Sequence, residues 1–225
     1  MIRASSMRTA TLSLSLLSIA WVLSLCLATG CVEDMLANSC ANGDGEMVHL
    51  TDPGRNLDFY IDKYEASRTD ASDLNEGGRE LRACSREGVL PWRRVSFQGA
   101  QSACAAVGKR LCTREEWVAA CQSFNQENVY SYGGVFRESF CNYNGQNADI
   151  VPTGFFVNCR TRQEVFDLNG NVREWVLSDD VGGRPELFGG SYSTGRLEVD
   201  CLSSIRPSDP DTYEGGQGDG FRCCR

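Results

Sequence analysis

Apolar and polar positions change period several times along this chain. Leu12 to Ala28 is an apolar run thinned only by serines, preceded by Arg3 and Arg8. A short apolar stretch behind basic residues and ahead of small ones reads as a secretory signal over residues 1–30, not as a retained membrane span. From Cys31 to Glu46 large apolar residues are few and Asn, Gly and acids many, the composition of a tether. Met47-Val48-His49-Leu50 and Leu57-Asp58-Phe59-Tyr60-Ile61 are strand-like runs divided by the turn residues Asp52-Pro53-Gly54. Ser67 to Arg82 is polar and reads as a surface loop. Its acids Asp70, Asp73 and Glu76 lack the spacing of a cation loop.

The period then lengthens. Phe97, Ala100, Cys104 and Val107 share one helical face, and Gly108 stands where such a helix would stop. Thr113-Arg114-Glu115-Glu116 is a capping box, and Trp117, Ala120, Cys121 and Phe124 form the stripe of a second helix. Each helix turns one cysteine inward. Tyr130 to Phe166 has no sustained period. Strands are expected at Val172–Val176, Leu187–Tyr192 and Gly220–Cys224. So much irregular backbone needs cross-links or bound ions to offset its ordering entropy.

Composition sharpens this picture. The chain has 225 residues and a net charge of −8, which becomes −10 once residues 1–30, with two arginines and no acid, are set aside. An acidic surface repels phosphate backbones, so nucleic acid is not an expected partner. Of the twelve cysteines, Cys26 lies in the signal and Cys31 directly follows Ala28-Thr29-Gly30. That junction resembles a bacterial lipobox, with Ala28 where Leu is usual, and implies a lipid-anchored envelope protein. Simple cleavage near Gly30 would instead give a soluble secreted product. The remaining ten cysteines are even in number, which in an exported chain points to disulfides. A zinc site has little to build on, since no C-x-x-C pair exists and His49 is the only histidine.

Several segments, in order, resemble the formylglycine-generating-enzyme (sulfatase-modifying factor) family. They are Phe59 to Ala66; Pro91 with Val95-Ser96-Phe97; Ala103-Cys104; Gly108 to Thr113; Glu116-Trp117; Ala120-Cys121; Asp167-Leu168-Asn169-Gly170-Asn171-Val172-Arg173-Glu174-Trp175; Gly189-Gly190-Ser191-Tyr192; and Gly220 to Cys223. The resemblance runs over residues 47–225. It implies an α+β, C-type-lectin-like fold, with a small twisted antiparallel sheet, two helices, long irregular loops and many disulfides. It further implies the bridges Cys104–Cys223 and Cys121–Cys201. A third pair, Cys112 with Cys141, is a guess, and adjacent Cys223-Cys224 are expected to serve two separate bridges.

In that family the Asp167–Glu174 stretch binds calcium. The implied ligands are the side chains of Asp167 and Glu174 and the carbonyls of Gly170 and Val172, an oxygen set that suits Ca²⁺. The residues alone also allow a hairpin turn at Asn169-Gly170 with Glu174 in a buried salt bridge. A second calcium site would fall near Asn142, Tyr143, Gly154 and Phe156. The family's enzymes oxidise a substrate cysteine with O₂ at Cu(I) held by two thiolates, which are soft ligands. Thr194 and Val199 stand where those cysteines would be, and Cys201 is needed for a bridge. The iron-dependent relatives need three histidines. Neither copper nor iron is therefore an expected cofactor.

The reading is thus an exported, lipid-anchored, non-catalytic ligand-binding or structural module, stabilised by calcium and facing a protein or carbohydrate ligand. The alternative is an oxidoreductase or protein-maturation factor of the same family with altered chemistry, since fold alone does not fix function.

Overall fold

A computed structural model describes residues 40, 45–79, 81–144, 146–178 and 184–225. The signal, Cys31 and most of the tether lie outside the described residues. Strands β1 (Met47–Asp52) and β2 (Leu57–Asp62) form the expected hairpin, paired from Met47↔Asp62 to Asp52↔Leu57. Short strands β3 (Ala66–Arg68) and β4 (Ala83–Ser85) pair with each other, so the polar loop between them is closed at its base.

Helix α1 (Phe97–Ala105) starts at Ser96, whose side chain accepts from the Gly99 amide. It buries Ala100, Ala103 and Cys104 and stops a turn before Gly108, which takes φ 70°. After β5 (Arg110–Leu111) comes helix α2 (Arg114–Cys121), opened by the capping box read from the sequence: Thr113 accepts from the Glu116 amide and Glu116 reaches back to Thr113. Phe124 lies beyond this helix, with left-handed backbone at φ 60°, and only partly covers the core.

The C-terminal part supplies β6 (Arg173–Val176), β7 (Glu186–Phe188), β8 (Ser204–Ile205), β9 (Asp219–Phe221) and β10 (Cys223–Cys224). With β1, β2 and β5 they make two four-stranded sheets, one ordered β1-β2-β10-β5 and antiparallel, the other β8-β7-β6-β9 with β6 and β9 parallel. The run read as one strand over Gly220–Cys224 is two strands in different sheets, with Arg222 between them. The run expected to continue to Tyr192 ends at Phe188, because Gly189 and Gly190 take φ 84° and 71°.

Two apolar clusters form the core. One packs Phe59, Ile61, Trp117, Leu168 and Phe188; the other packs Trp92, Val95, Leu111, Trp175 and Phe221. Side chains alternate along a strand, so Cys223 faces the second cluster and Cys224 the first. That alternation explains the disulfides. Cys104–Cys223 and Cys121–Cys201 are present as the resemblance implied. The guess of Cys112 with Cys141 is wrong: Cys112 follows β5, which pairs directly with β10, and bonds Cys224. Cys141 instead bonds Cys159, 18 residues on. Cys40 is bridged to Cys84, and the Glu46 amide donates to the Ser85 carbonyl, so the chain is tied to the domain at Cys40 and again at Glu46.

Candidate functional site

The Asp167–Glu174 stretch is a compact turn in which Asp167, Gly170 and Asn171 all take left-handed backbone, at φ 59°, 80° and 56°. A Cβ at Gly170 would run into the Asn142 carbonyl, so only glycine fits there. The turn is no hairpin: β6, which follows it, pairs with β7 and β9, and the Gly170 amide donates to the Gly189 carbonyl. Val172 N–H donates to Glu65 Oε1 at 2.9 Å and Asn171 Nδ2 to Glu65 Oε2 at 2.6 Å.

Glu174 accepts through Oε2 from Trp117 Nε1 at 2.6 Å and from Arg222 Nε at 2.7 Å, and through Oε1 from Arg222 Nη2 at 2.7 Å. Arg222 spends its other donors on the carbonyls of Asp62 and Phe166. Asp167 Oδ2 accepts from the Gly154 amide at 2.7 Å. The two places expected to hold calcium thus meet, since Asn142 and Gly154 both bond this turn, Asn142 through its carbonyl to Asn171 N–H. Tyr143 packs its ring on Phe136, and the Phe156 carbonyl accepts from Cys159 N–H.

Charge at this turn is unbalanced. Glu65, Asp167 and Glu174 are all buried, and Arg222 is the cation among them; Lys109 is occupied by Asp62 at 2.7 Å. Burial pushes the Asp167 carboxyl up to about 7, with the Gly154 amide and Arg222 opposing and Glu174 reinforcing. Burial, then the charges of Asp167 and Glu174, holds Glu65 well above the usual carboxylate range. In charge the residues therefore fit a cation. In donors the match is weaker. Glu174 Oε1 keeps a lone pair, but Arg222 holds both Glu174 oxygens in the buried salt bridge that the residues alone allowed. Among the described residues no group of three His, Cys, Asp or Glu side chains is placed to hold a metal.

The stretch after Ser191 is different. Thr194 Oγ1 accepts from Ser191 N–H at 2.9 Å and lies 3.1 Å from Ser191 Oγ, which is 3.2 Å from Ser193 Oγ. Thr194 and Glu198 line a cavity of about 170 Å³ with Arg173, Gly190 and Ser203. Val199 is buried, and Cys201 is committed to Cys121. Hydroxyls and a valine offer no soft donor, so these residues do not fit Cu(I).

Sequence reading missed Glu65, Asn171 and Arg222. Arg222 left one signal, a charged residue set between Phe221 and Cys223 in an otherwise buried run. Residues 48–225 match the family described as the sulfatase-modifying factor enzyme 1-like domain. The chain belongs to this family. Within it, the chain is similar to the inactive C-alpha-formylglycine-generating enzyme 2 of Bos taurus, 36% identical over 99 residues that make up 40% of this chain and 33% of that protein. The Mus musculus protein of the same name is 35% identical over 99 residues, 40% of this chain and 32% of that one. The matches thus span about a third of these relatives' length. The fold is shared with PvdO from Pseudomonas aeruginosa, with a TM-score of 0.54 at 16% identity over 80% of this chain and 90% of that one. Treponema denticola variable protein 1 is alike at a TM-score of 0.54 and 12% identity, over 80% and 91% of the two chains.

Proposed function

We propose that this protein is a non-catalytic, ligand-binding member of the sulfatase-modifying factor family, exported and held at the bacterial cell envelope by a lipid on Cys31. The non-catalytic reading is carried by the Ser191–Cys201 stretch. By the resemblance, Thr194 and Val199 stand about where the family's enzymes need thiolates, and the next cysteine along the chain, Cys201, is used in the bridge to α2. The name of the relatives matched over 99 residues agrees with it. Export is supported by the signal-like residues 1–30 and by five disulfides, which persist in oxidising compartments.

Calcium belongs to the same proposal. The carboxylates of Asp167 and Glu174, with the carbonyls of Gly170 and Val172, would hold the ion, which would supply the positive charge that Arg222 alone does not. The test of the catalytic question is direct. Copper-loaded protein is incubated aerobically with a cysteine peptide of sulfatase type, and the products are weighed by mass spectrometry. The expected result is unchanged peptide; aldehyde formation that depends on the protein sinks the non-catalytic reading. The N-terminal peptide is expected to carry an acylated Cys31, and an unmodified N-terminus elsewhere would remove the anchor.

A further inference from the structure

Away from the calcium turn, a cavity of about 470 Å³ is lined by polar side chains, among them Asn128, Ser131, Tyr132, Asn158, Arg160 and Arg162. Three observations make it more than a surface dent. Ser131 is 2% exposed and its Oγ has no hydrogen-bond partner. A buried hydroxyl left unpaired costs about 1–3 kcal/mol, so its retention calls for a reason. Ser131 is also held rigidly. Its amide donates to Asn169 Oδ1 at 2.8 Å, and Tyr130 and Gly133 bond each other across it at 2.9 and 3.0 Å. Lastly, Arg162 is exposed and has no acidic partner among the described residues, whereas Arg160 pairs with Glu164.

We propose that this cavity binds a small hydroxyl-rich carboxylate, of the chemical class of an acidic sugar. Amides and hydroxyls both donate and accept, which suits the hydroxyls of such a ligand. A turn of the Ser131 side chain about χ1 would bring its Oγ, closed off from the cavity as it stands, to a ligand hydroxyl and give it the partner it lacks. Arg162 would take the carboxylate, for which a guanidinium fork is well matched. The protein's net charge, −10 once residues 1–30 are set aside, disfavours polyanionic ligands. The volume falls within the usual range for small-molecule sites, roughly 300–1,000 Å³. Asn169 connects the cavity to the calcium turn, since its side chain reaches Ser131 from between Asp167 and Gly170. The inference deepens the ligand-binding reading above and rests on it.

The test is calorimetric titration of the full, disulfide-intact chain in detergent with D-glucuronate, D-glucose and acetate at one ionic strength. Glucuronate is expected to bind at least tenfold more tightly than either of the others, each of which carries only half of its chemistry. Arg162→Ala and Ser131→Ala should each weaken it tenfold or more, while Arg184→Ala, a charge-matched change outside the cavity, leaves it unchanged. Ser131→Ala should also melt at the same temperature or higher, because it removes an unpaired hydroxyl. Glucuronate binding no better than acetate, or unaffected by Arg162→Ala, overturns the proposal, as does a lower melting temperature for Ser131→Ala. The peptide assay on the same sample separates the two readings. Aldehyde would refute the non-catalytic reading alone, and a flat titration would refute this site alone.

Discussion

The Asp167–Glu174 turn and the Ser191–Cys201 segment touch, through the Tyr192 amide on the Asn171 carbonyl at 3.0 Å, yet they carry the family's signature in opposite ways. The turn keeps its buried acids, its glycine and its tie to Arg222. The segment has a bridged cysteine, Cys201, and hydroxyls and Val199 where soft ligands would be needed. A scaffold and the chemistry once set on it answer to separate requirements. The first is fixed by packing and buried charge; the second, on the non-catalytic reading proposed above, would depend on two side chains whose change disturbs neither.

The largest expected effects lie in what the two regions share, their structural ties. Removing the Cys121–Cys201 bridge with both cysteines as serine opens a link across 80 residues and should cost about 4–5 kcal/mol in the chain-entropy account, read as a fall in the denaturation midpoint. Glu174→Ala leaves Arg222 buried without its bidentate partner and should cost about 3–5 kcal/mol. The next effect distinguishes the regions. If calcium occupies the turn, ion at a hundredfold excess over its dissociation constant adds about 2.7 kcal/mol, so chelator should lower the melting temperature and calcium restore it. Asp167→Asn should blunt that response, whereas Thr194→Ala should leave it intact. The smallest effect is Thr194→Ala itself, about 1 kcal/mol for the hydrogen bond from the Ser191 amide. A loss of 3 kcal/mol or more there would show that the segment is under the same structural demand as the turn.

Much of this was legible in the sequence where local rules govern. The capping box at Thr113 and Glu116 marked α2 at its first residue, and the two apolar runs around Asp52-Pro53-Gly54 marked the first hairpin. Long-range choices were not legible. Nothing in Gly220 to Cys224 says that the chain changes sheets at Arg222, since both halves are short, apolar and buried. The partner of Cys112 depends on β5 lying beside β10, a pairing between residues more than a hundred positions apart. The turn's glycine and acids could be named in advance. Their arrangement around Arg222 and Glu65 could not, because each partner arrives from a distant part of the chain. The Ser131 cavity left no sequence signal at all, as an unpaired hydroxyl becomes visible only once its neighbours are placed.

The separation of scaffold from chemistry is tested most directly by titrating Cu(I) into the disulfide-intact protein against a coloured Cu(I) chelator. The expected result is no withdrawal of copper beyond that of a thiol-free control protein, because Thr194 and Val199 offer no soft ligand and Cys201 is bonded to Cys121. Withdrawal of one copper per chain, lost in Cys201→Ser, would contradict it and return this protein to the catalytic members of its family.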